Sequence, residues 1–263
     1  MNFNKVGILG VGVMGEAMIT GLIRIGFDPH SVIIREKRAE RCVQLEEKYG
    51  VSQDSLKDCS LIFLAVKPQD LDLALAEIAK ELTGDVLIIS LLAGTTTSRI
   101  ESALGERARV IRVMPNTPLL LGKGAAGLAK GVRATSSDLT WALSFFAGSG
   151  MAIEVAEEQM DAVTATSGSG PAYFFKLVES MISAASRLGM SESEAKVLAS
   201  QTLIGAAKMV EESGTDVATL RANVTSPNGT TAAALSSLEQ ANFDTVIYEA
   251  MKAARDRSIE LSK

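Results

Sequence analysis

Val6-Gly7-Ile8-Leu9-Gly10-Val11-Gly12-Val13-Met14-Gly15 sets a four-residue apolar run directly ahead of a G-x-G-x-x-G loop, and an amphipathic stretch follows to about Arg24. Such a run predicts a buried strand, and the stretch after it predicts a helix. In a strand–turn–helix each glycine has its own task. One makes the turn, one lets the backbone approach a pyrophosphate, and one lets helix pack on strand. The helix N-terminus presents unpaired N–H groups and a partial positive charge to the anion. Three glycines in a loop can be mere turn chemistry; the strand before them and the helix after them point to dinucleotide binding.

Moving outward, further apolar runs occur at Val32–Ile34, Leu61–Ala65, Val86–Ile89 and Arg109–Val113. Stretches of helical period such as Glu36–Tyr49 and Asp70–Glu81 separate them. Strand, helix, strand in this order is the signature of an α/β doubly wound parallel sheet. After Asn116-Thr117-Pro118 comes a Gly-rich passage, then a helix near Asp138–Phe146 and a last strand near Ala152–Val155. From Met160 onward the pattern is helical almost throughout, with breaks at 189–191, 213–215 and 226–229. Ser191 and Glu194 have capping-box spacing. Ala172–Leu188 and Ser193–Glu212 are apolar around much of their circumference, so they must be buried on most sides. That predicts an all-α domain whose core is completed by a second copy of the chain. The expected division is residues 1–156 for the nucleotide-binding domain and 157–263 for the helical one.

Composition narrows the chemistry. The 263 residues carry 26 Lys plus Arg against 31 Asp plus Glu, a net charge of −5. No basic block is present of the kind a nucleic-acid backbone requires. The apolar runs fall far short of the ~20 residues that span a bilayer. The opening residues lead straight into a strand, without the apolar core of a secretion signal. The expectation is a soluble, cytoplasmic protein that binds neither membrane nor nucleic acid. His30 is the only histidine, in the polar turn Asp28-Pro29-His30-Ser31, and Cys42 and Cys59 are the only cysteines. That set predicts no metal site and no histidine-dependent nucleophile. Catalysis must lean on a cofactor, hydroxyls, carboxylates or backbone dipoles.

The end of the second strand should choose the cofactor. An acidic residue there holds a ribose 2′-hydroxyl, and arginine accepts a 2′-phosphate. Arg35-Glu36-Lys37-Arg38 offers both; its three cations favour NADPH, with NADH use left open. Ligands sit outside the carboxyl ends of parallel strands, which adds Ala65-Val66-Lys67-Pro68, Ala93-Gly94 and Asn116 in Met114-Pro115-Asn116-Thr117-Pro118. In the helical half, Ser226-Pro227-Asn228-Gly229-Thr230-Thr231 leads a tight turn into a helix of small residues. The hydroxyls of Ser226, Thr230 and Thr231, beside the N–H groups of Gly229, Thr230 and Thr231, would form a carboxylate-binding nest. A plain helix cap is the simpler alternative.

At these residues the chain resembles pyrroline-5-carboxylate reductase. The likeness runs through GVGVMG (10–15), AVKP (65–68), AG (93–94), VMPNTP (113–118), DAVTATSGSGPAYFF (161–175) and VTSPNGTTAAALSSLE (224–239). It implies a Rossmann domain followed by an all-α dimerisation domain. It also implies hydride transfer from NAD(P)H to the C=N carbon of 1-pyrroline-5-carboxylate, giving L-proline. By the same resemblance Thr231 lies near the ring nitrogen as proton donor or orienter. Ser226, Gly229, Thr230 and Thr231 bind the substrate carboxylate, with Asn223 and Glu157 as further contacts. The implied cofactor residues are Gly10, Val11, Gly12, Val13, Met14, Gly15, Arg35, Glu36, Lys37, Ala65, Val66, Lys67, Pro68, Ala93, Gly94 and Asn116. A homodimer is implied, with a larger ring such as a decamer left open. Asn228 stands where the family usually has glycine; asparagine tolerates positive φ. The opening also resembles 3-hydroxyacid dehydrogenases, but Gly168-Ser169-Gly170 is followed by Pro171, Ala172, Tyr173 and Phe174, where that family needs a lysine. Lys176 arrives too late. A non-catalytic NAD(P)H-binding sensor is the alternative of a different class.

Overall fold

Five apolar runs become the parallel core of one sheet: β1 (Val6–Leu9), β2 (Val32–Arg35), β3 (Leu61–Leu64), β4 (Val86–Ser90) and β5 (Ala108–Met114). Nearly every residue in them is buried, as a sheet covered on both faces requires. The order is β2-β1-β3-β4-β5-β6-β7, where β6 is Gly124–Lys130 and β7 is Gly150–Glu154. Strand β6 runs antiparallel to β5 and parallel to β7. The computed structural model describes residues 3–261.

Helices α1 (Val13–Arg24), α2 (Ala39–Tyr49) and α5 (Ser136–Ala147) cover one face, around Met18, Leu22, Leu45, Phe63 and Phe145. Helices α3 (Leu71–Glu81) and α4 (Thr97–Leu104) cover the other, around Ile62, Leu75, Ile78, Ile88 and Ile100. Within β3 the side chains alternate strictly: Leu61 and Phe63 enter the first core, Ile62 and Leu64 the second. The period-2 pleat thus splits one continuous apolar run between two layers.

The Gly-rich passage after Pro118 contains β6, which the sequence does not announce because glycine and alanine are weak strand formers. Its small residues have a packing cause. A Cβ on Gly127 would come within 2.7 Å of the Val163 side chain, in the short α6 (Met160–Val163). Below α6 the chain winds into a π-helical turn, Thr164–Gly168. The sheet unit extends through Ser169 and takes back the segment from Ala253 onward; Gly170–Lys252 is the second unit. Met160 and Ala165 are buried, and Ser258 bonds Asp161 at 2.7 Å.

The second unit is helical: α7 (Gly170–Arg187), α8 (Glu192–Glu212), α9 (Val217–Asn223), α10 (Thr230–Gln240) and the first part of α11 (Phe243–Leu261). The Ser191–Glu194 capping box is present, and Asp216 caps α9 by accepting from Thr219 N–H at 3.0 Å. Helix α7 lies along α8, yet in α7 and α8 only Gly170, Ala195 and Ala199 are buried. Phe174, Phe175, Val197, Leu198 and Ile204 are exposed. The apolar circumference read from the sequence is therefore present and uncovered in the single chain.

Candidate active site

The three glycines divide their work as the strand–turn–helix requires. Gly10 has φ +84°, and a Cβ there would lie 2.6 Å from the Ala65 carbonyl oxygen. A Cβ on Gly15 would lie 2.2 Å from the Gly10 oxygen, the closeness that seats α1 on the turn. A Cβ on Gly12 would meet nothing within 4 Å. The backbone at the start of α1 is thus open on the side where a diphosphate would approach. Gly10 and Gly12 line a cleft of about 590 Å³ with Leu9, Arg35, Glu36, Lys37, Arg38, Ala65, Val66 and Lys67, a volume suited to a small organic ligand. Half of the sixteen residues the sequence assigns to the cofactor are among them. Val11 is buried behind the loop, and Val13 and Met14 are already in or next to α1.

At the end of β2 the Glu36 side chain is only 10% exposed. Its Oε2 accepts the Val11 N–H at 3.1 Å, and Oε1 accepts from the Arg38 N–H at 3.2 Å and Nε at 3.0 Å. Burial works to raise its pKa, but the hydrogen bonds from Arg38 and Val11 outweigh it and hold the carboxyl below its ordinary range. Arg35 pairs with Glu77 at 2.7 Å and Glu81 at 3.4 Å, and Lys37 with Asp70 at 2.5 Å. Each of the three cations in this cluster therefore has a carboxylate partner. Of those partners, Asp70 and Glu77 also line the cleft, and sequence reading missed them. Asp70 lies in the β3–α3 connection that also carries Lys67, whereas Glu77 reaches the cleft from within α3.

Behind the loop, Glu16 in the first turn of α1 gathers Arg41, Lys48 and Tyr49. Arg41 also donates to the Val11 carbonyl at 3.3 Å. Burial acts to raise the Glu16 pKa, and the three side-chain hydrogen bonds overcome it, bringing it down to about 2. The glycine loop is held from both sides, by Glu36 through Val11 N–H and by Arg41 through Val11 C=O.

The later strand ends carry the remaining residues assigned to the cofactor. Gly94, with φ +69°, turns the chain after β4 where a Cβ would strike Leu261 at 2.7 Å; Ala93 precedes it in that turn. Pro68 opens a 3₁₀ turn leading to α3. Asn116 is buried and its amide is engaged on both sides. Nδ2 donates to the Ser167 carbonyl at 3.0 Å and Oδ1 accepts the Ala125 N–H at 2.9 Å, so it clamps the π-helical turn to β6. Glu157 accepts from the Thr97 N–H at 2.7 Å and from its hydroxyl at 2.5 Å. It also lies 3.7 Å from Arg112, whose nearly buried guanidinium reaches Asp161 at 3.2 Å. Thr97, Arg112, Asp161 and Ser258 form a network that leaves no periodicity in the sequence.

In the helical unit, Asn228 has φ 60°, the left-handed turn its glycine-like position demands. The turn occupies the Gly229 N–H, which donates to the Ser226 carbonyl at 3.0 Å, so this group is not open as the sequence reading has it. Ser226 Oγ lies against Gly229, 2.4 Å from where a Cβ would stand. Helix α10 starts at Thr230 with no side-chain cap, leaving the first-turn N–H groups of Thr230 and Thr231 without an intrahelical acceptor. Thr230 and Ser226 are exposed and Thr231 is half-buried. Asn223 closes α9 on the approach to this turn.

A glycine loop tied to an acidic strand end, opening on a cleft across a parallel sheet, belongs to the NAD(P)-linked oxidoreductases of Rossmann type. Residues 5–94 match the family model described as NADP oxidoreductase, coenzyme F420-dependent. Residues 157–261 match the one described as pyrroline-5-carboxylate reductase dimerisation. A pyrroline-5-carboxylate reductase of Methanosarcina acetivorans is 40% identical over 100% of both chains. The solved pyrroline-5-carboxylate reductase of Coxiella burnetii shares 36% identity and a TM-score of 0.90 over 100% of both chains. The pyrroline carboxylate reductase of Plasmodium falciparum, solved with NADP bound, shares 30% identity and a TM-score of 0.87 over 98% of each chain. The chain belongs to the pyrroline-5-carboxylate reductase family.

Proposed function

We propose that the protein reduces 1-pyrroline-5-carboxylate to L-proline with NAD(P)H, the closing step of proline biosynthesis. The observation that carries this reading is the turn Ser226–Gly229 feeding α10. Its open N–H groups at Thr230 and Thr231 and the Ser226 hydroxyl suit a carboxylate. Gly10, Gly12, Glu36 and Val66 would hold the nucleotide in the cleft, where it supplies a hydride to the imine carbon. A protonated imine is already electrophilic, so the protein needs to orient it rather than activate it with a strong acid. Orientation alone can lower a barrier by roughly 7–11 kcal/mol in favourable cases. Thr231 would stand at the ring nitrogen, as donor or orienter. Asn223 is carried as a neighbouring contact of the substrate.

The exposed apolar helices of Gly170–Lys252 support a homodimer, with larger rings left to measurement. The same reading puts the enzyme in the cytoplasm; among the described residues no helix is long and apolar enough to cross a membrane. The test is the fall of absorbance at 340 nm when 1-pyrroline-5-carboxylate is added to purified protein with NADH or with NADPH. Rapid decay is expected with at least one of them. No decay with either, in folded protein that binds one, would overturn the proposal.

A further inference from the structure

We infer that Glu36 makes this chain select NADH over NADPH, by offering its carboxylate to the adenosine ribose where a 2′-phosphate would otherwise stand. The inference rests on the NAD(P)H-linked reading above and concerns which form of the cofactor the cleft takes. Three observations carry it. Glu36 is at the carboxyl end of β2, lines the cleft, and is fixed by the Val11 N–H of the glycine loop at 3.1 Å. That is the position from which an acidic side chain meets the ribose hydroxyls. Its three accepted hydrogen bonds leave acceptor capacity, since an ionised carboxylate has about four lone-pair sites. The ribose 2′-hydroxyl is a donor and suits the remaining site; a phosphate dianion has no proton to give and would meet like charge.

The cations that might accommodate a 2′-phosphate are already committed. Arg35 is held by Glu77 and Glu81, Lys37 by Asp70, and Arg38 by Glu36 itself. To serve a phosphate, Arg38 would have to leave Glu36, uncovering the carboxylate beside the incoming charge. A count of basic residues in Arg35-Glu36-Lys37-Arg38 favours NADPH; their pairing favours NADH. NADPH remains a usable but weaker ligand, because Lys37 is mostly exposed and can move.

The experiment is a pair of binding titrations, NADH and NADPH each added to purified protein without imine, followed by nicotinamide fluorescence. Wild type is expected to bind NADH at least ~10-fold more tightly, the scale of a like-charge contact at a partly shielded site. Glu36→Gln should lose most of that ratio, gaining affinity for NADPH, while Glu36→Asp keeps the preference. Arg38→Ala should change the ratio by less than about threefold, since the inference gives Arg38 no phosphate. Equal or tighter binding of NADPH by wild type overturns the inference, as does a ratio unmoved by Glu36→Gln in a variant that melts like wild type. If the variants do not fold, the wild-type ratio alone decides. Because no imine is present, a protein that prefers NADH but reduces no 1-pyrroline-5-carboxylate would sink the reductase reading and leave this one standing.

Discussion

Glu36 accepts a hydrogen bond from the Val11 N–H across 25 residues of sequence, so the end of β2 and the glycine loop are one structural object. A substitution at either place should therefore be felt at the other, which makes the loop glycines separable by experiment. Gly12 has open space where a Cβ would go, whereas Gly10 has a φ of +84° that strains any other residue, and a Cβ there would lie 2.6 Å from a carbonyl oxygen. Gly12→Ala should weaken NADH binding by at least ~10-fold with Tm nearly unchanged, because the methyl fills the diphosphate approach. Gly10→Ala should instead cost ~1–3 kcal/mol in urea unfolding. Equal losses of Tm in the two variants would contradict this division.

Acid should loosen the loop from behind. Glu16 has a folded pKa of about 2 against an ordinary 4.5, so its ionised form stabilises the fold above about pH 4.5. That contribution is lost as pH falls from 4.5 towards 2. With Lys48 exposed and screened by solvent, its worth is on the order of 1–2 kcal/mol. Glu16→Gln should be less stable than wild type by that amount at pH 7, with the gap closing towards pH 2. Denaturant unfolding across this range checks it; a gap that widens on acidification would be the wrong sign.

Asp161 faces an arginine whose side chain is only 4% exposed. Asp161→Ala leaves Arg112 with Glu157 at 3.7 Å and releases the Ser258 hydroxyl. Stranding a buried charge should cost ~2–4 kcal/mol, and Arg112→Met in the same chain should recover part of it. A double-mutant cycle in urea measures the coupling.

Thr231 separates chemistry from folding. Helix α10 is begun by Gly229 without a side-chain cap, so removing the Thr231 hydroxyl takes away no capping energy. Thr231→Ala should lower kcat/KM by at least ~10-fold, a typical loss for a positioned proton-handling group. Tm should hold, and Thr231→Ser should retain most activity. Unchanged kcat and KM in Thr231→Ala would remove the residue from the proposed mechanism.

The exposed apolar faces of α7 and α8 predict association. Light scattering on wild type should give at least two chains, and Phe175→Asp, at a residue 66% exposed in the single chain, should shift the mass towards one. A burden of exposed phenylalanine, valine and leucine this large is uncommon on a monomer.

Much of this was written in the sequence, for a physical reason: periodicity and glycine placement are local. Buried parallel strands appear as continuous apolar runs, and β1 to β5 lie within a residue or so of where those runs stand. The glycine spacing at 10, 12 and 15 reported its own turn, and Ser226-Pro227-Asn228-Gly229 reported the start of α10. Residues chosen for space rather than pattern were silent. Strand β6 is built of glycine and alanine because Val163 packs over Gly127, a contact between distant segments. Asn116 and Glu157 were legible as polar residues in interesting places. Their work as a clamp on the π-helical turn and as the acceptor for Thr97 depends on partners 51 and 60 residues away. The sequence by itself determined the doubly wound sheet, the nucleotide loop and the helical second half, because each is a matter of short-range pattern and burial. Only the tertiary structure decided which cations were already spent on carboxylates, since Asp70, Glu77 and Glu81 reach Lys37 and Arg35 through the folded sheet, and charge depends on what stands beside it.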